Sequence, residues 1–354
     1  MFIPGQGLRQ SEANPGGYES EAFTDDLLTT DFSRTAADEF LGESIGPGPD
    51  DLLTEEGAAA PSGGEVAGTG GSLFFQMLRI FRSNKMAVVS LMTLIAITLF
   101  CFLGPYFYHS NQTVINLNVL PSQAPSAAHP LGTDSQGFDM LGRMMYAGKT
   151  SLTVGIIAAI ITMTFGITYG VIAGYRGGAL DSVLMRIVDV LLSIPGLFLL
   201  LAIIAVFGHS KNMIILIIGL VSWYGVARLM RAEALSLRER EFAQAVRAMG
   251  GGSRRIIWRH VLPNSISTIV TLATFAVADS ILFLAALGFL GVGIAPPDTD
   301  WGTMINSGNA LDQIQLGYWW EVLPVAILFL LVVISLNFIG DALRDSFEVR
   351  LRER

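Results

Sequence analysis

Six apolar runs follow a long polar beginning of the chain. They lie near residues 86–108, 150–174, 183–207, 212–230, 265–290 and 321–340. Each run is close to the ~20 residues that an α-helix needs to cross the hydrocarbon core of a bilayer. The pattern therefore predicts an all-α integral membrane protein with six transmembrane helices, and the lipid bilayer is its first expected partner.

Basic residues predict how the helices are oriented. Arginine and lysine collect before the first run, between the second and third, between the fourth and fifth, and after the last. In a protein with six spans these four places share one side of the membrane, and loops rich in basic residues stay in the cytoplasm. We therefore expect a multi-pass protein of the cell (inner or plasma) membrane, with both termini and the 228–264 loop in the cytoplasm.

Composition and charge add a tail to this picture. The chain has 354 residues, of which 51% are hydrophobic and 15% charged, which is too apolar for a soluble protein of this size. Residues 1–72 carry 14 acidic and 2 basic side chains, a net charge of −12 within a total of −8, so the remaining chain is at +4. Rich in Gly, Pro, Ser and acidic residues, this segment is predicted to be a disordered acidic cytoplasmic tail. We expect no nucleic-acid partner.

The loop between the fourth and fifth runs predicts a helix, a glycine turn and a second helix. Within residues 239–249, an i, i+3, i+4, i+7 spacing places four apolar side chains on one helix face: Phe242, Ala245, Val246 and Met249. Gly250 suits the left-handed end of that helix, Ser253 the N-cap of the next, and Pro263 the start of the fifth span. This is either a rigid element that a soluble partner grips, or a pair of helices lying on lipid.

Two carboxylates lie inside apolar runs. Asp279 is roughly 21 Å along the fifth span from residue 265, and facing lipid there would cost ~2.5–3.5 kcal/mol. We expect it either to line a translocation path or to accept a hydrogen bond from Ser280, Thr274 or a neighbouring helix. Asp189 is a second candidate for the path, with an ion pair to Arg186 as the alternative.

Other chemistry is weakly signalled. Pro195 and Gly196 predict a kink in the third span. The four histidines are scattered over loops and form no ligand set, so we expect no metal site in this chain. The sequence contains no recognisable spacing of a nucleophile and a base, and we expect no catalytic residue.

A series of motifs runs in order through the chain. It begins with His129-Pro130-Leu131-Gly132-Thr133-Asp134 and ends with Gly340-Asp341-Ala342-Leu343-Arg344-Asp345. Between them stand Ala173-Gly174-Tyr175, Arg259-His260-Val261-Leu262-Pro263-Asn264, Phe289-Leu290-Gly291 and Trp301-Gly302. From about Leu73 to Arg350 the chain resembles the C-type permease subunit of the dipeptide/oligopeptide/nickel ABC importers.

The resemblance implies the type I ABC importer fold and a domain organisation. Residues 1–72 are then the acidic tail, and 73–149 the first transmembrane helix with an outer-face segment. Residues 150–342 form a transmembrane domain of five helices that contains a cytoplasmic coupling loop at 231–263. Residues 343–354 are expected to be a cytoplasmic C-terminal tail.

The resemblance also implies a function and partners. The chain would form half of a path for short peptides, paired with a B-type permease, two cytoplasmic ABC ATPases and an extracytoplasmic substrate-binding protein. ATP and Mg²⁺ would bind to the ATPases, and this chain would hold no cofactor and perform no catalysis. The alternatives are nickel or another small solute as the substrate and, in a different class, an ion-coupled secondary transporter.

Candidate residues follow from the same resemblance. Coupling to the ATPase is expected from Gln244, Ala245, Val246, Met249, Gly250, Leu262 and Pro263, where Gln244-Ala245-Val246 stands in place of the Glu-Ala-Ala of the family. Contacts with the binding protein at the outer face are expected from His129, Asp134, Asp139 and Trp301.

Overall fold

The computed structural model describes residues 79–112, 119–306 and 310–352. The predicted acidic tail, residues 1–72, lies outside the described residues. Within the described ranges the chain is helical and has no named strand; a single isolated bridge joins Thr133 and Asp139. The all-α prediction is confirmed.

The main helices, in chain order, are α1 (Lys85–Phe107), α2 (Met140–Arg176), α3 (Gly178–Leu192), α4 (Gly196–Phe207), α5 (Lys211–Val221) and α6 (Trp223–Arg238). A helical loop follows with α7 (Glu241–Ala248), α8 (Ser253–Ile256), a π-helical turn (Ile257–Val261) and α9 (Leu262–Asn264). The chain ends with α10 (Ile266–Phe289), α11 (Trp301–Asn306), α12 (Ala310–Gln315), a 3-10 turn (Trp319–Glu321) and α13 (Leu323–Arg352).

Within the described residues, five helical stretches are long and apolar enough to cross a membrane, and the number is six if a bent pair of helices is counted as one span. They are Lys85–Phe107, Met140–Arg176, Lys211–Arg238, Ile266–Phe289 and Trp319–Phe347, with α3 and α4 as the bent pair. The predicted spans all correspond to these elements. Because α13 continues to Arg352, most of the predicted C-terminal tail at 343–354 is an extension of the last helix.

The third predicted span, 183–207, is broken rather than kinked. Helices α3 and α4 meet at an angle of 84° across Ser193 to Pro195. Pro195 has no N–H to donate and disfavours the helical conformation at Ile194, so α3 ends at Leu192 and α4 begins at Gly196. The kink expected from the sequence was placed correctly, and its size was underestimated.

Helix α2 begins ten residues before the apolar run that predicted it. Asp139 caps it by accepting a hydrogen bond from the Gly142 N–H at 2.9 Å, and the helix runs for 37 residues. The predicted boundary between 149 and 150 therefore falls inside α2. Hydropathy missed this first part because Arg143 and Lys149 interrupt it, whereas helix formation does not require apolar residues.

A stripe of glycines on α2 brings its backbone against that of α6. Gly166, Gly170 and Gly174 recur every four residues and so lie on one face. A Cβ atom at Gly170 would collide with the Ala227 carbonyl, and one at Gly174 with the Arg231 carbonyl. Small residues at this spacing are the usual way in which membrane helices approach closely, since lipid supplies no hydrophobic force between them.

This packing predicts opposite effects of the same substitution at two glycines. Gly170→Ala should destabilise the chain by about 1–3 kcal/mol because the new methyl group overpacks the α2–α6 contact. Gly225→Ala, on α6 with open space around its Cβ position, should be neutral or stabilising by about 0.5–1 kcal/mol, as is usual inside a helix. Thermal unfolding of both purified variants in one detergent compares them. Equal stabilities would contradict the proposed close approach.

Candidate functional site

The segment between α6 and α10 forms one end of the helix bundle, which we call the loop end. Gly250 has φ +79°, so its predicted left-handed conformation is confirmed. Its N–H donates to the Arg247 carbonyl at 2.9 Å, and the Gly251 N–H donates to the Val246 carbonyl at 2.8 Å. These two bonds make a Schellman motif, which ends α7 and fixes the direction in which the chain leaves it.

The second helix of the loop is more irregular than expected. Gly252, not Ser253, occupies the N-cap position of α8, so the predicted cap was wrong by one residue. A π-helical turn follows, in which the Leu262 N–H bonds to the Ile257 carbonyl. Pro263 comes directly after this turn, in the short α9, and it cannot donate to the preceding turn. The loop therefore reaches α10 through a widened turn.

Helix α7 has an inner face and an outer face. Ala243 is fully buried, and Phe242 and Val246 are half-buried in the core that it joins. Ala245 is exposed and Met249 is 79% exposed. The predicted single apolar face is thus wrong in its orientation: the packed face is turned towards Ala243, and its predicted members Ala245 and Met249 remain on the surface.

Four of the residues predicted to couple to the ATPase, in and directly after α7, are exposed, and we name this set the coupling surface after that prediction: Gln244, Ala245, Met249 and Gly250. Gln244, which replaces the expected glutamate, donates from Nε2 to the Glu239 carbonyl at 3.0 Å. Of the other predicted coupling residues, Leu262 is half-buried and packs with α7 in the core, while Pro263 is exposed.

Two arginines attach the loop to the end of α2. Arg238 donates to the Tyr175 carbonyl at 3.4 Å. The Arg247 guanidinium lies 5.4 Å from the centre of the Tyr175 ring and donates to the Arg238 carbonyl at 3.2 Å. From the sequence, these arginines were interpreted only as markers of how the helices are oriented in the membrane. Nothing local in the sequence identifies Tyr175, which lies more than 60 positions earlier, as their partner.

Two ion pairs join α6 to α3. The Arg231 guanidinium donates to both carboxylate oxygens of Asp181, each at 2.6 Å. The Asp181 side chain is only 10% exposed. Arg228 contacts Asp189 at 3.2 Å, with both side chains largely exposed. The alternative pairing of Asp189 with Arg186 is therefore wrong, because the partner comes from the neighbouring helix.

Asp279 lies near the middle of α10 on its exposed surface. The two hydroxyl groups suggested as partners are engaged elsewhere. Ser280 donates to the Ala276 carbonyl at 2.7 Å, and Thr274 donates to the Val270 carbonyl at 3.0 Å. The carboxylate is thus presented to whatever lies beside α10 in the membrane.

The end of the bundle opposite the loop is closed by residues 119–139 and 290–306, which we call the cap. In the cap, Asp139 receives hydrogen bonds from the Tyr108 hydroxyl at 2.8 Å and the Gly142 N–H, and His129 Nδ1 lies 2.9 Å away. Burial is the main cause that raises the pKa of Tyr108 to about 12, and the bond to Asp139 adds to it. Asp139 therefore holds α1, α2 and the His129 segment together.

Asp134 organises the turn before α2. It accepts from the Gln136 and Phe138 N–H groups and pairs with Arg143 at 3.2 Å. The Arg143 guanidinium lies 4.1 Å over the Phe138 ring. Burial raises the pKa of the Asp134 carboxyl, and Arg143 and the backbone N–H groups act in the opposite direction without cancelling it.

Trp301, a residue of the cap, is fully buried. Its indole N–H donates to the Met144 carbonyl at 3.3 Å, and its backbone N–H donates to the Ser151 hydroxyl at 3.2 Å. The adjacent Asp300, which sequence analysis missed, accepts from the Thr303 hydroxyl at 2.6 Å and N–H at 3.0 Å; burial raises its pKa. Of the four predicted outer-face residues, only His129 is more than slightly exposed, so the other three contact their own chain.

These observations define the class of protein. The chain is a multi-pass α-helical membrane protein whose spans are linked by an exposed, firmly attached helical loop. It belongs to the family described as "Binding-protein-dependent transport system inner membrane component", which it matches over residues 166–353, more than half of its length. Residues 72–125 also match the "N-terminal TM domain of oligopeptide transport permease C".

The relatives are permeases. The chain is 36% identical over 285 residues to the oligopeptide transport system permease protein OppC of Haemophilus influenzae, covering 80% of this chain and 90% of that protein. It is 36% identical over 304 residues to the dipeptide transport system permease protein DppC of Alkalihalophilus pseudofirmus, covering 85% and 97%. The expected type I importer fold and the role of a transport subunit rather than an enzyme are confirmed.

A solved structure is similar in outline. It shows the MetNI methionine ABC transporter in inward-facing conformations, and the TM-score is 0.48 at 20% identity, covering 58% of this chain and 97% of that chain.

The two ion pairs between α3 and α6 give a matched test of burial. Arg231→Ala should destabilise the chain by about 1.5–3 kcal/mol because it leaves the Asp181 carboxylate buried without its two hydrogen bonds. Arg228→Ala should cost about 0–1 kcal/mol because its pair with Asp189 is exposed. Thermal unfolding in detergent compares the two. A larger loss for Arg228→Ala would show that the shorter, more buried pair is not the one that holds α3.

Proposed function

We propose that this chain is half of the translocation path of an ATP-driven importer of short peptides. The observation that carries the proposal is helix α7: its inner face packs in the core and its Arg247 lies against Tyr175 of α2, while the coupling surface is exposed. The peptide substrate rests on the names of the relatives, which are oligopeptide and dipeptide permeases. The path is shared with a B-type permease.

The coupling surface docks a cytoplasmic ABC ATPase, one of two in the importer. ATP and Mg²⁺ bind to those ATPases. Because Gln244 carries no charge, docking at this permease depends on apolar contact with Ala245 and Met249 rather than on an ion pair. An aliphatic side chain of the size of Met, moved from water into a partner groove, contributes ~1.5–3 kcal/mol.

Coupling uses the contacts that hold α7. A displacement of α7 by the ATPase is passed to α2 through Arg238 and Arg247, which meet at Tyr175. The pair of Arg231 with Asp181 passes it on from α6 to α3. The loop end is the cytoplasmic end, since the arginines of the loop collect there and positive loops stay inside. The cap then faces outward, towards a substrate-binding protein.

Asp279 faces the path or the partner permease. A charge at this depth facing lipid would cost ~2.5–3.5 kcal/mol. Asp189 is a weaker candidate for the path because Arg228 already neutralises it. His129 and the exposed residues around it form the outer contact with the binding protein, and the buried Asp134, Asp139 and Trp301 keep that surface in shape.

Purification of the tagged chain from its native membrane tests the proposal. A second permease and two ATPases should accompany it, and the proteoliposomes should take up a labelled dipeptide with ATP. Gly250→Val should lower uptake at least tenfold, because φ +79° is strained for a β-branched residue. Gly252→Val is the control: its φ is −69° and nothing lies near its Cβ position. ATP-driven uptake of nickel instead of dipeptide would contradict the proposed substrate. Recovery of the chain alone, with transport driven by an ion gradient, would contradict the whole proposal.

The role of Asp279 is tested by two substitutions at neighbouring positions. Asp279→Leu should leave membrane insertion intact, or improve it, and lower dipeptide uptake about tenfold or more because the path loses its carboxylate. Ser280→Ala removes a buried hydroxyl that bonds only to its own helix, so uptake should change less than twofold. Uptake by Asp279→Leu equal to that of Ser280→Ala would exclude a role in the path.

A further inference from the structure

A half-open cavity of about 570 Å³ lies in the cap. Its walls come from the segment after α1, from the residues on either side of the start of α2, from His209 between α4 and α5, and from the 288–306 segment. The polar side chains considered below are among its lining residues: Gln112, Arg143, Asp298 and Thr299. None of the predicted site residues lines it, and the coupling loop is at the other end of the bundle.

Two oxygen atoms of wall residues are buried and have no hydrogen-bond partner among the residues that the structure describes. Thr299 is 1% exposed and its Oγ1 is unbonded. Gln112 is 6% exposed; its Nε2 donates to the Asp139 carbonyl and the Ser110 hydroxyl, which leaves Oε1 unbonded. Because a carbonyl only accepts, the amide of Gln112 cannot be turned round without losing its bond to Asp139. A buried acceptor without a donor costs about 1–3 kcal/mol.

The wall also carries an unmatched negative charge. Asp298 accepts one hydrogen bond, from the Tyr146 hydroxyl to Oδ1 at 2.6 Å. Among residues 79–112, 119–306 and 310–352, no ion pair includes Asp298. The one arginine in the wall, Arg143, is neutralised by Asp134. Gln136, His209 and Asn306 also line the cavity. Within the described residues, the wall thus includes a carboxylate without an ion-pair partner, and an amide oxygen and a hydroxyl without a hydrogen-bond partner.

We infer that this cavity binds a primary ammonium group. An ammonium group carries one positive charge and three N–H donors, and it has no acceptor. It matches the charge of Asp298 and, with small rotations of the wall side chains, the oxygens of Gln112 and Thr299. Two sources share this chemistry: the amino terminus of a peptide substrate, and a lysine side chain of the binding protein. The inference deepens the proposed function and rests on it for the choice between these sources.

Binding is measured first, without transport. The thermal-unfolding midpoint of the membrane complex in nanodiscs is followed with butylammonium and with N,N,N-trimethylbutylammonium, which has the same charge and no N–H. Butylammonium should raise the midpoint and the trimethyl ion should not. Equal effects of the two ions on the wild-type complex would overturn the inference.

Two variants and one control assign the effect to the cavity. Asp298→Asn keeps an acceptor for Tyr146 and removes the charge. Thr299→Val removes a hydroxyl that makes no hydrogen bond within the described residues, so it should not disturb folding. Each should weaken butylammonium binding about tenfold, the usual effect of losing a hydrogen bond to a charged group. Asp312→Asn, at an exposed carboxylate on another segment, should bind as the wild type does. Unchanged binding in Asp298→Asn contradicts the inference.

Stimulated ATP hydrolysis then separates the two sources. If the ammonium group belongs to the peptide, Asp298→Asn should raise about tenfold the concentration of trialanine-loaded binding protein needed for half-maximal stimulation, and leave stimulation by the empty binding protein unchanged. If it belongs to a lysine of the binding protein, both should rise. A wild-type complex that no binding protein stimulates would contradict the proposed function, while the butylammonium measurement would still decide the cavity.

Discussion

The close approach of the α2 and α6 backbones is the constraint on which the other features depend. Three glycines on α2 leave room for backbone and small side chains of α6: Gly170 and Gly174 face carbonyl groups, and Gly166 faces Val226. That contact brings the end of α6 beside Tyr175, where Arg238 and Arg247 can both reach it. Packing between the membrane-spanning helices thereby fixes the position of the coupling surface, although none of its residues belongs to a span.

Much of the fold follows from hydropathy, because burying polar backbone in lipid allows few alternatives to helices. The limits of that argument are visible at two places. The start of α2 at Met140 carries charges and lies beyond the apolar run, so its helicity comes from the Asp139 cap instead. At Pro195 the sequence indicates a bend, but the 84° between α3 and α4 depends on what each helix packs against.

In the candidate sites, too, local features were predictable from the sequence and contacts between distant segments were not. The turn at Gly250 was predictable because a helix end with glycine is a local feature. The partners of Asp189 and Tyr175 were not, since Arg228 and Arg238 come from a helix many residues away. Residues of the cap were identified by resemblance, yet burial shows that Asp134, Asp139 and Trp301 act on their own chain. No local feature of the sequence marked Asp298 and Thr299, which line the cavity in the cap.

Helix α2 starts at the Asp139 cap and ends at Tyr175 and Arg176, beside the loop. With 37 residues at ~1.5 Å each, it is roughly 55 Å long, which exceeds the ~30 Å thickness of the hydrocarbon core of a bilayer. Proline is absent from it, and three of its glycines, Gly166, Gly170 and Gly174, pack against α6. It is therefore a rod without a hinge: a tilt of only a few degrees imposed at Tyr175 would shift the far end by several ångströms.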